Sequence, residues 1–140
     1  MSISGLFREC AILTNNPAVV SMYPMESCMI SGNVMDVFIA VRNAVHKGAR
    51  IISHPLSGSI KPNDSPYKSI VITVSTGKLD VKSLNIIEDA ISVLSRLTIK
   101  NRDYDESVLE DFRIIDLDII KQIERPVPGD FSLINILKQI

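Results

Sequence analysis

The stretch from residue 33 to residue 48 constrains the fold of this chain more than any other part of its sequence. Asn33 can cap a helix, and Asp36 stands where the side chain of a capping box reaches back to the cap. Lys47 and Gly48 provide the basic last turn and the glycine that are typical of a helix end. Between these signals the apolar residues recur at helical spacing: Val34, Val37, Phe38, Val41, Ala44 and Val45. The pattern predicts an amphipathic helix with one wide buried face.

Short apolar segments lie on both sides of this helix. Residues 27–31 and 49–53 are typical of strands, and a strand, a helix and a strand in this order predict a β-α-β unit with two parallel strands. Residues 10–13 form a further apolar run, and residues 69–75 are rich in β-branched side chains, as in a strand covered on both faces. We therefore expect one α/β domain over residues 1–140. It should have three layers: a mostly parallel sheet of four or five strands, with helices on both faces.

Helix signals dominate the second half of the chain. Asp80 can cap a segment whose apolar residues form two adjacent rows, so this helix should pack centrally. Residues 112–123 fit either a helix or a strand, and we favour a helix. After Pro126 and Pro128, a last short helix over residues 130–140 has apolar positions on several faces. Either its own domain or a second copy of the chain should cover it.

The composition argues against several classes of function. The 140 residues carry a formal net charge of −1 and no block of basic residues, so we expect no nucleic-acid-binding surface. The longest apolar run, residues 37–41, is too short to cross a membrane, and the N-terminus lacks the pattern of a signal peptide. These features predict a cytoplasmic protein. Cys10 and Cys28 are expected to be buried and reduced, the alternative being a redox pair between neighbouring strands.

Irregular sequence fills residues 53–69, which contain three prolines and five serines. Structureless loops longer than about 12–15 residues are uncommon in compact domains and are usually functional or disordered. The spaced prolines and Tyr67 favour an ordered loop. It begins after the predicted strand at residues 49–53, just as Asn15 and Asn16 follow the first predicted strand. Because ligands of open α/β sheets bind beyond the carboxyl ends of strands, both segments are expected to face one crevice.

The side chains of these two segments suit a carboxylate or phosphate ligand. The candidate ligand-binding residues are Asn15, Asn16, His54, Ser57, Gly58, Ser59, Lys61, Tyr67 and Lys68. Ser57 and Ser59 flank a glycine at which backbone amides can approach an anion. His54 is also the candidate catalytic residue, because imidazole exchanges protons near neutral pH. His54 and the Ser-Gly-Ser segment also have structural interpretations. A histidine can bond a neighbouring backbone group, and Ser-Gly-Ser is a common turn sequence.

The sequence has no motif that calls for a metal or a cofactor. "STGK" at residues 75–78 is similar to the end of a phosphate-binding loop, but Ile72 stands where that motif needs glycine and Leu79 where it needs Ser or Thr. His46 falls at a predicted helix end, where a partly charged imidazole suits the helix dipole, so a structural role is favoured. We expect neither a metal nor a cofactor.

Two stretches of the sequence carry a resemblance to a known family. One is "TNNP" at residues 14–17, and the other is "VRNAVHKGARIISHPLSGSIKPNDSPYKSIVI" at residues 41–72. Within the second, "HPLSGSIKPNDSPYKS" is the specific portion. These stretches resemble the GrdX family, small proteins encoded with the glycine, sarcosine and betaine reductases of anaerobic bacteria that ferment amino acids. The resemblance implies an accessory cytoplasmic protein and carries over no catalytic residue.

Three interpretations of function follow. The first is an accessory protein that serves an amino-acid reductase system through a partner subunit or a small anionic ligand. The second is a small enzyme in which His54 acts as acid or base on an anionic substrate. It is weakened by the lack of a carboxylate beside His54 in the sequence, since Asp36 or Asp64 would have to be brought there by folding. The third is a homodimer formed through the C-terminal helix.

Overall fold

Three strands and four helices form the described part of the protein. The computed structural model describes residues 10–58, 61–74, 77–97 and 103–124. The elements in chain order are β1 (Cys10–Thr14), α1 (Pro17–Met22), β2 (Ser27–Met29), α2 (Val34–His46), β3 (Ser69–Thr73), α3 (Val81–Arg96) and α4 (Glu106–Glu124). The α/β class is confirmed, and residues 112–123 are helical, as favoured from the sequence.

The strands form one mixed sheet in the order β2-β1-β3. β1 runs parallel to β2, with Leu13 opposite Cys28, and antiparallel to β3, with Ile12 opposite Val71. The β-α-β unit is therefore β1-α1-β2, and not a unit built around α2. The expected four or five mostly parallel strands are not confirmed: the described residues contain three strands, and one of the two pairings is antiparallel.

The strand predicted around Ile51 is reduced to a single antiparallel bridge with Ile72 of β3. Serine hydroxyls accept hydrogen bonds from backbone N–H groups that would bond the carbonyls of the facing strand in a longer strand pairing. Ile51 N–H donates to Ser83 Oγ at 3.0 Å, and Val71 N–H donates to Ser53 Oγ at 2.8 Å. Because these amides bond hydroxyls instead of a facing carbonyl, the segment lies along β3 without becoming a fourth strand.

The helix starts largely follow the caps read from the sequence. Asn33 Oδ1 accepts from Asp36 N–H at 3.0 Å and Asp36 Oδ2 accepts from Asn33 N–H at 2.9 Å, which confirms the capping box. Asp80 caps α3 by accepting from Ser83 N–H. The short helix α1 was not predicted. Its signal was Asn16 as the cap followed by a proline at the first helical position.

Different helices cover the two faces of the sheet. Neighbouring residues of a strand point to opposite faces, so Leu13 joins a core with α2 and α3, whereas Ile12 joins a second core with α1 and α4. We call these sides the α2/α3 face and the α1/α4 face. The α2/α3 core includes Val37, Phe38 and Val41, all fully buried. The arrangement gives three layers, with the sheet in the middle.

Other expectations from the sequence have separate outcomes. The predicted burial of both cysteines is wrong for Cys28, which is an exposed free thiol. The predicted helix over residues 130–140 and the candidate Ser59 lie outside the described residues. Within the described ranges, no helix combines the length and the apolar character needed to cross a membrane.

Candidate functional site

The 53–68 loop returns to the sheet at the edge where β1 ends. Thr14, the last residue of β1, pairs with Ser69, the first residue of β3. The next residue, Asn15, fastens the loop there: its Nδ2 donates to Pro66 O at 2.8 Å, and its Oδ1 accepts from Lys68 N–H at 2.8 Å. Asn15 therefore holds backbone in place, and its amide group is occupied by this task.

The loop is also tied to α4 through an aromatic side chain. Arg113 Nη1 donates to the Tyr67 hydroxyl at 3.0 Å, and the guanidinium carbon lies 5.7 Å from the centre of the Tyr67 ring, within cation-π range. Hydrogen bonds from Arg113 to Glu110, to Tyr67 and to Glu106 raise the pKa of the guanidinium above its usual value. A third tie joins Tyr104 Oη to Asp64 O at 2.8 Å. The loop is thus fixed on the surface of the domain.

An open pocket lies between this loop and α4. It encloses about 410 Å³ of empty space, including solvent at its mouth. Its lining residues are Val34, Ser57, Gly58, Lys61, Pro62, Ser65, Tyr67, Lys68, Phe112, Ile115, Asp116 and Ile119. Five of the nine candidate residues from the sequence line it: Ser57, Gly58, Lys61, Tyr67 and Lys68. The pocket combines charged groups with an apolar wall supplied mainly by α4.

A buried carboxylate, Asp116, forms part of the pocket wall. It is 5% exposed, and its Oδ2 accepts from Ser69 Oγ at 2.6 Å and from Asn16 Nδ2 at 2.9 Å. Burial raises the pKa of Asp116, while these hydrogen bonds and the charge of Lys68 act in the opposite direction. Asn16, predicted to contact a ligand, donates to this carboxylate and caps α1.

The hydrogen bonds behind Asp116 run in one direction. Asn16 N–H donates to Thr14 Oγ1 at 2.9 Å, and Ser69 Oγ gives its only proton to Asp116 Oδ2. Thr14 therefore donates to Ser69, 2.6 Å away. The chain ends on Oδ2 of Asp116. The backbone N–H of Ser69 also donates to this carboxylate, which lines the pocket.

Two lysines bring positive charge to the same pocket. Half-buried Lys68 donates from Nζ to Ser57 O at 2.8 Å, whereas Lys61 is exposed. Burial lowers the pKa of Lys68, and the nearby carboxylate of Asp116 opposes that shift. Among the described residues, Lys68 and Asp116 do not form a direct ion pair. The charges of Lys68 and Asp116 therefore line one pocket without a direct ion pair between them among the described residues.

His54 stands outside the lining of this pocket. It is exposed, its Nδ1 accepts from Leu56 N–H at 3.1 Å, and its carbonyl accepts from Ser57 Oγ at 2.7 Å. The neutral imidazole therefore carries its proton on Nε2. In the described ranges no carboxylate bonds His54, and no three His, Cys, Asp or Glu side chains gather as a metal site. The histidine forms a turn, which was its structural alternative.

The contribution of α4 to the site was not predicted from the sequence. None of the α4 residues that line the pocket was among the predicted site residues: Phe112, Ile115, Asp116 and Ile119. A signal was present: Asp116 follows Phe112 by one helical turn and precedes Ile120 by another, so a carboxylate interrupts an apolar row. Burying a charged residue in the apolar row of a helix is costly unless the charge is paired or hydrogen-bonded, so such a residue is a candidate for a functional role.

Comparison with known proteins gives one result. A family model described as GrdX-like protein matches residues 11–124, which is most of the chain and includes every residue that lines the pocket. No significant match was found among curated proteins or among solved structures.

Proposed function

Because the chain belongs to the GrdX-like protein family, we propose that it is a cytoplasmic accessory protein of glycine reductase metabolism that binds a small anionic ligand in the pocket beside α4. The family supplies the metabolic context. The ligand is argued from the pocket itself, whose lining side chains include two lysines and one carboxylate. The observation that carries the proposal is the half-buried ammonium group of Lys68.

Lys68 is equipped to bind an anion. Its ammonium group has three donors, and one of them is used on Ser57 O. Burial lowers the pKa of this lysine, so the charged amine is poorly solvated where it stands. An anionic group placed against it would offset that loss of solvation. Tyr67 adds a further donor, because its oxygen accepts from Arg113 and none of the described residues accepts its own hydroxyl proton.

The apolar side of the pocket favours an organic anion over a free inorganic one. Val34, Phe112, Ile115 and Ile119 line it, and Pro62 stands on the loop side. Small-molecule sites typically combine such a wall with a few convergent polar groups. A short aliphatic carboxylate has both parts: its charged end matches Lys68, and its carbon chain matches the wall.

The test is a titration of the protein with pentanoate, followed by calorimetry or by NMR shifts of the loop amides. Lys68→Gln should weaken binding by about tenfold or more, because a hydrogen-bonded charge is typically worth about 1.5–3 kcal/mol. The matched control is Lys82→Gln, which removes an exposed lysine on α3, on the other side of the sheet. Pentanoate should bind the control as it binds the wild type.

Two results would count against the proposal. Equal binding by the wild type and Lys68→Gln would remove Lys68 from the site. If pentanoate binds neither protein, but a reductase subunit co-purifies with the wild type and is lost on Lys61→Glu or Lys68→Gln, then the surface docks a partner subunit instead.

A further inference from the structure

The strand β2 lies at the edge of the sheet, and its outer side is open. The sheet order among the described residues is β2-β1-β3, so β1 pairs with one side of β2 and no described strand pairs with the other. We infer that this edge binds the same edge of a second copy of the chain, antiparallel to it, so that one sheet runs through a symmetric dimer. None of residues 22–29 lines the ligand pocket, so the inference is independent of the proposed ligand.

The hydrogen bonds to β1 show which side of β2 each backbone group faces. Ile12 N–H donates to Glu26 O at 2.9 Å, and Ile30 N–H donates to Thr14 O at 2.7 Å. Successive residues of a strand direct their backbone N–H and C=O groups to opposite sides. Every second residue from Glu26 to Ile30 therefore faces β1, and the residues between them face the open edge.

These outward-facing residues are Ser27 and Met29. Ser27 N–H donates to Tyr23 O at 3.0 Å, but no described residue outside the β1 pairing donates to Ser27 O or accepts from Met29 N–H. The edge thus keeps an open acceptor at Ser27 and an open donor at Met29, with Cys28 between them. An edge with open backbone groups is a template for the addition of a further strand.

The pattern of open groups is complementary to itself. When two copies pair antiparallel about a twofold axis, Met29 N–H of each copy donates to Ser27 O of the other. Cys28 then stands opposite Cys28 of the second copy as a non-hydrogen-bonded pair, whose Cα atoms lie about 4.5 Å apart in such ladders. One symmetric contact therefore supplies a partner for the open donor and the open acceptor of each copy.

Exposed apolar side chains accompany this edge. Met29 is 47% exposed, Met25 in the preceding turn is 78% exposed, and Met22 at the end of α1 is 47% exposed. Methionine side chains are flexible and adapt to irregular contact surfaces, which makes them common at binding surfaces. Contiguous exposed apolar side chains are typical of interaction sites. The methionines therefore add apolar contact to the backbone pairing.

The charges of this segment favour a second copy over a charged partner. Glu26 is the only charged residue from Pro17 to Ser31, and its side chain is buried. A twofold contact brings equivalent residues close together, so a charged edge would repel itself, whereas this edge carries no exposed charge. β2 also lacks the lysine or proline with which edge strands commonly prevent pairing.

The first test is the mass of the wild-type protein by sedimentation equilibrium, which needs no substitution. We expect a species of twice the 15.5 kDa of the chain at micromolar to millimolar concentration. Met29→Lys should raise the dissociation constant of the dimer by about tenfold or more, because it brings two like charges together at the contact. The matched control is Val81→Lys, which changes another exposed apolar residue, on α3, and should leave the mass unchanged.

Cys28 allows a second test, by cross-linking with diamide. The reagent oxidises two thiols to one disulfide and takes up their two hydrogen atoms. Because Cα atoms about 4.5 Å apart are within disulfide range, the wild type should give a covalent dimer on a non-reducing gel and Cys28→Ser should lose it. The control combines Cys28→Ser with Ser95→Cys, an exposed position on α3. It should cross-link about tenfold or more slowly, because no contact raises the local concentration of its thiols.

Two results would overturn the inference. One is a wild-type protein that stays monomeric at millimolar concentration and cross-links no faster than the control. The other is a dimer that folded Met29→Lys leaves intact, because the two copies would then meet at a different surface, such as residues 130–140. Circular dichroism of each variant checks that it is folded under the conditions of the measurement.

Discussion

The α2/α3 face and the α1/α4 face are built on the same three strands, yet they bury different kinds of side chain. The α2/α3 core is a continuous set of apolar residues around Val41 and Phe38. The α1/α4 face has a smaller apolar core, and next to it a buried polar chain runs from Thr14 through Ser69 to Asp116. A polar ligand placed in an apolar core would lose its hydrogen bonds to water without replacement, whereas a hydrogen-bonded network can bind and orient it. We therefore expect the α2/α3 face to contribute most of the stability, and we place the proposed ligand site on the α1/α4 face.

The largest expected effect comes from emptying the α2/α3 core. Phe38→Ala should lower the free energy of unfolding by about 3–5 kcal/mol, because it deletes a fully buried aromatic ring and leaves a cavity. Urea denaturation measures this loss. The fraction that remains folded should bind pentanoate with wild-type affinity, and a weakened affinity in that fraction would break the division between the two faces.

Removing the carboxylate of the α1/α4 face should cost less. Asp116→Ala leaves Ser69 Oγ and Asn16 Nδ2 without their buried acceptor, and we expect a loss of about 1–3 kcal/mol in the free energy of unfolding. Asp116→Asn keeps an acceptor and should be closer to the wild type. Equal losses in the two variants would mean that the negative charge of Asp116, and not its packing volume or the presence of a neutral acceptor, accounts for its contribution to stability.

The same pair of proteins tests the pH dependence. Burial raises the pKa of Asp116 above the ordinary value of about 3.9, so at pH values between the two pKa values the folded state holds a proton that the unfolded state has released. The contribution of this group to stability is present below the ordinary pKa and is lost as the pH rises through the folded-state pKa. The stability of the wild type relative to Asp116→Asn should therefore fall across that window. A rise would mean that hydrogen bonds, and not burial, dominate the shift.

Two glycines with positive φ, one in the pocket and one outside it, allow a test with a smaller expected loss of stability. Gly58 has φ +115°, and a Cβ added there would stand 3.2 Å from Ile119 Cδ1 in the pocket. Gly77 has φ +80° and open space around it. Both Gly58→Ala and Gly77→Ala should cost about 1–2 kcal/mol of stability from the backbone conformation, as chemical denaturation can measure. Only Gly58→Ala should also weaken pentanoate binding, and a matching effect from Gly77→Ala would contradict the location of the site.

The smallest effect is expected at His54. His54→Gln changes an exposed turn residue outside the pocket, so stability should stay within about 0.5 kcal/mol and pentanoate binding should be unchanged. Growth on glycine of a strain carrying the variant provides the functional readout. Lost function with intact ligand binding would revive the interpretation of His54 as a catalytic acid or base.

The sequence predicted those parts of the fold that depend on nearby residues. Asn33 and Asp36 cap α2 through contacts three residues apart, so the cap is readable from the chain. The bridge at Ile51 is different, because it depends on the hydroxyl of Ser83, 32 residues away. The run of β-branched residues around Ile51 does not indicate that the hydroxyl of a distant serine will accept from its backbone N–H in place of a strand carbonyl.

The candidate site shows the same difference between features that depend on nearby residues and features that depend on distant ones. The loop was recognised from its own composition, and Lys61, Tyr67 and Lys68 do line the pocket. The role of Asn15 in holding backbone and that of Asn16 in orienting a carboxylate depend on segments far along the chain, and so does the placement of Asp116. Single-sequence patterns carry no information about such pairings.

The hydrogen bond between Asn16 and Asp116 joins residues 100 positions apart. During synthesis the chain emerges from its N-terminus, so the sheet and α2 and α3 can form before α4 has left the ribosome. Closing so long a segment is slow relative to local contacts, and we expect recognition to be acquired last. In refolding experiments, burial of the α2/α3 core should precede the appearance of ligand binding, and simultaneous appearance of the two signals would contradict this order.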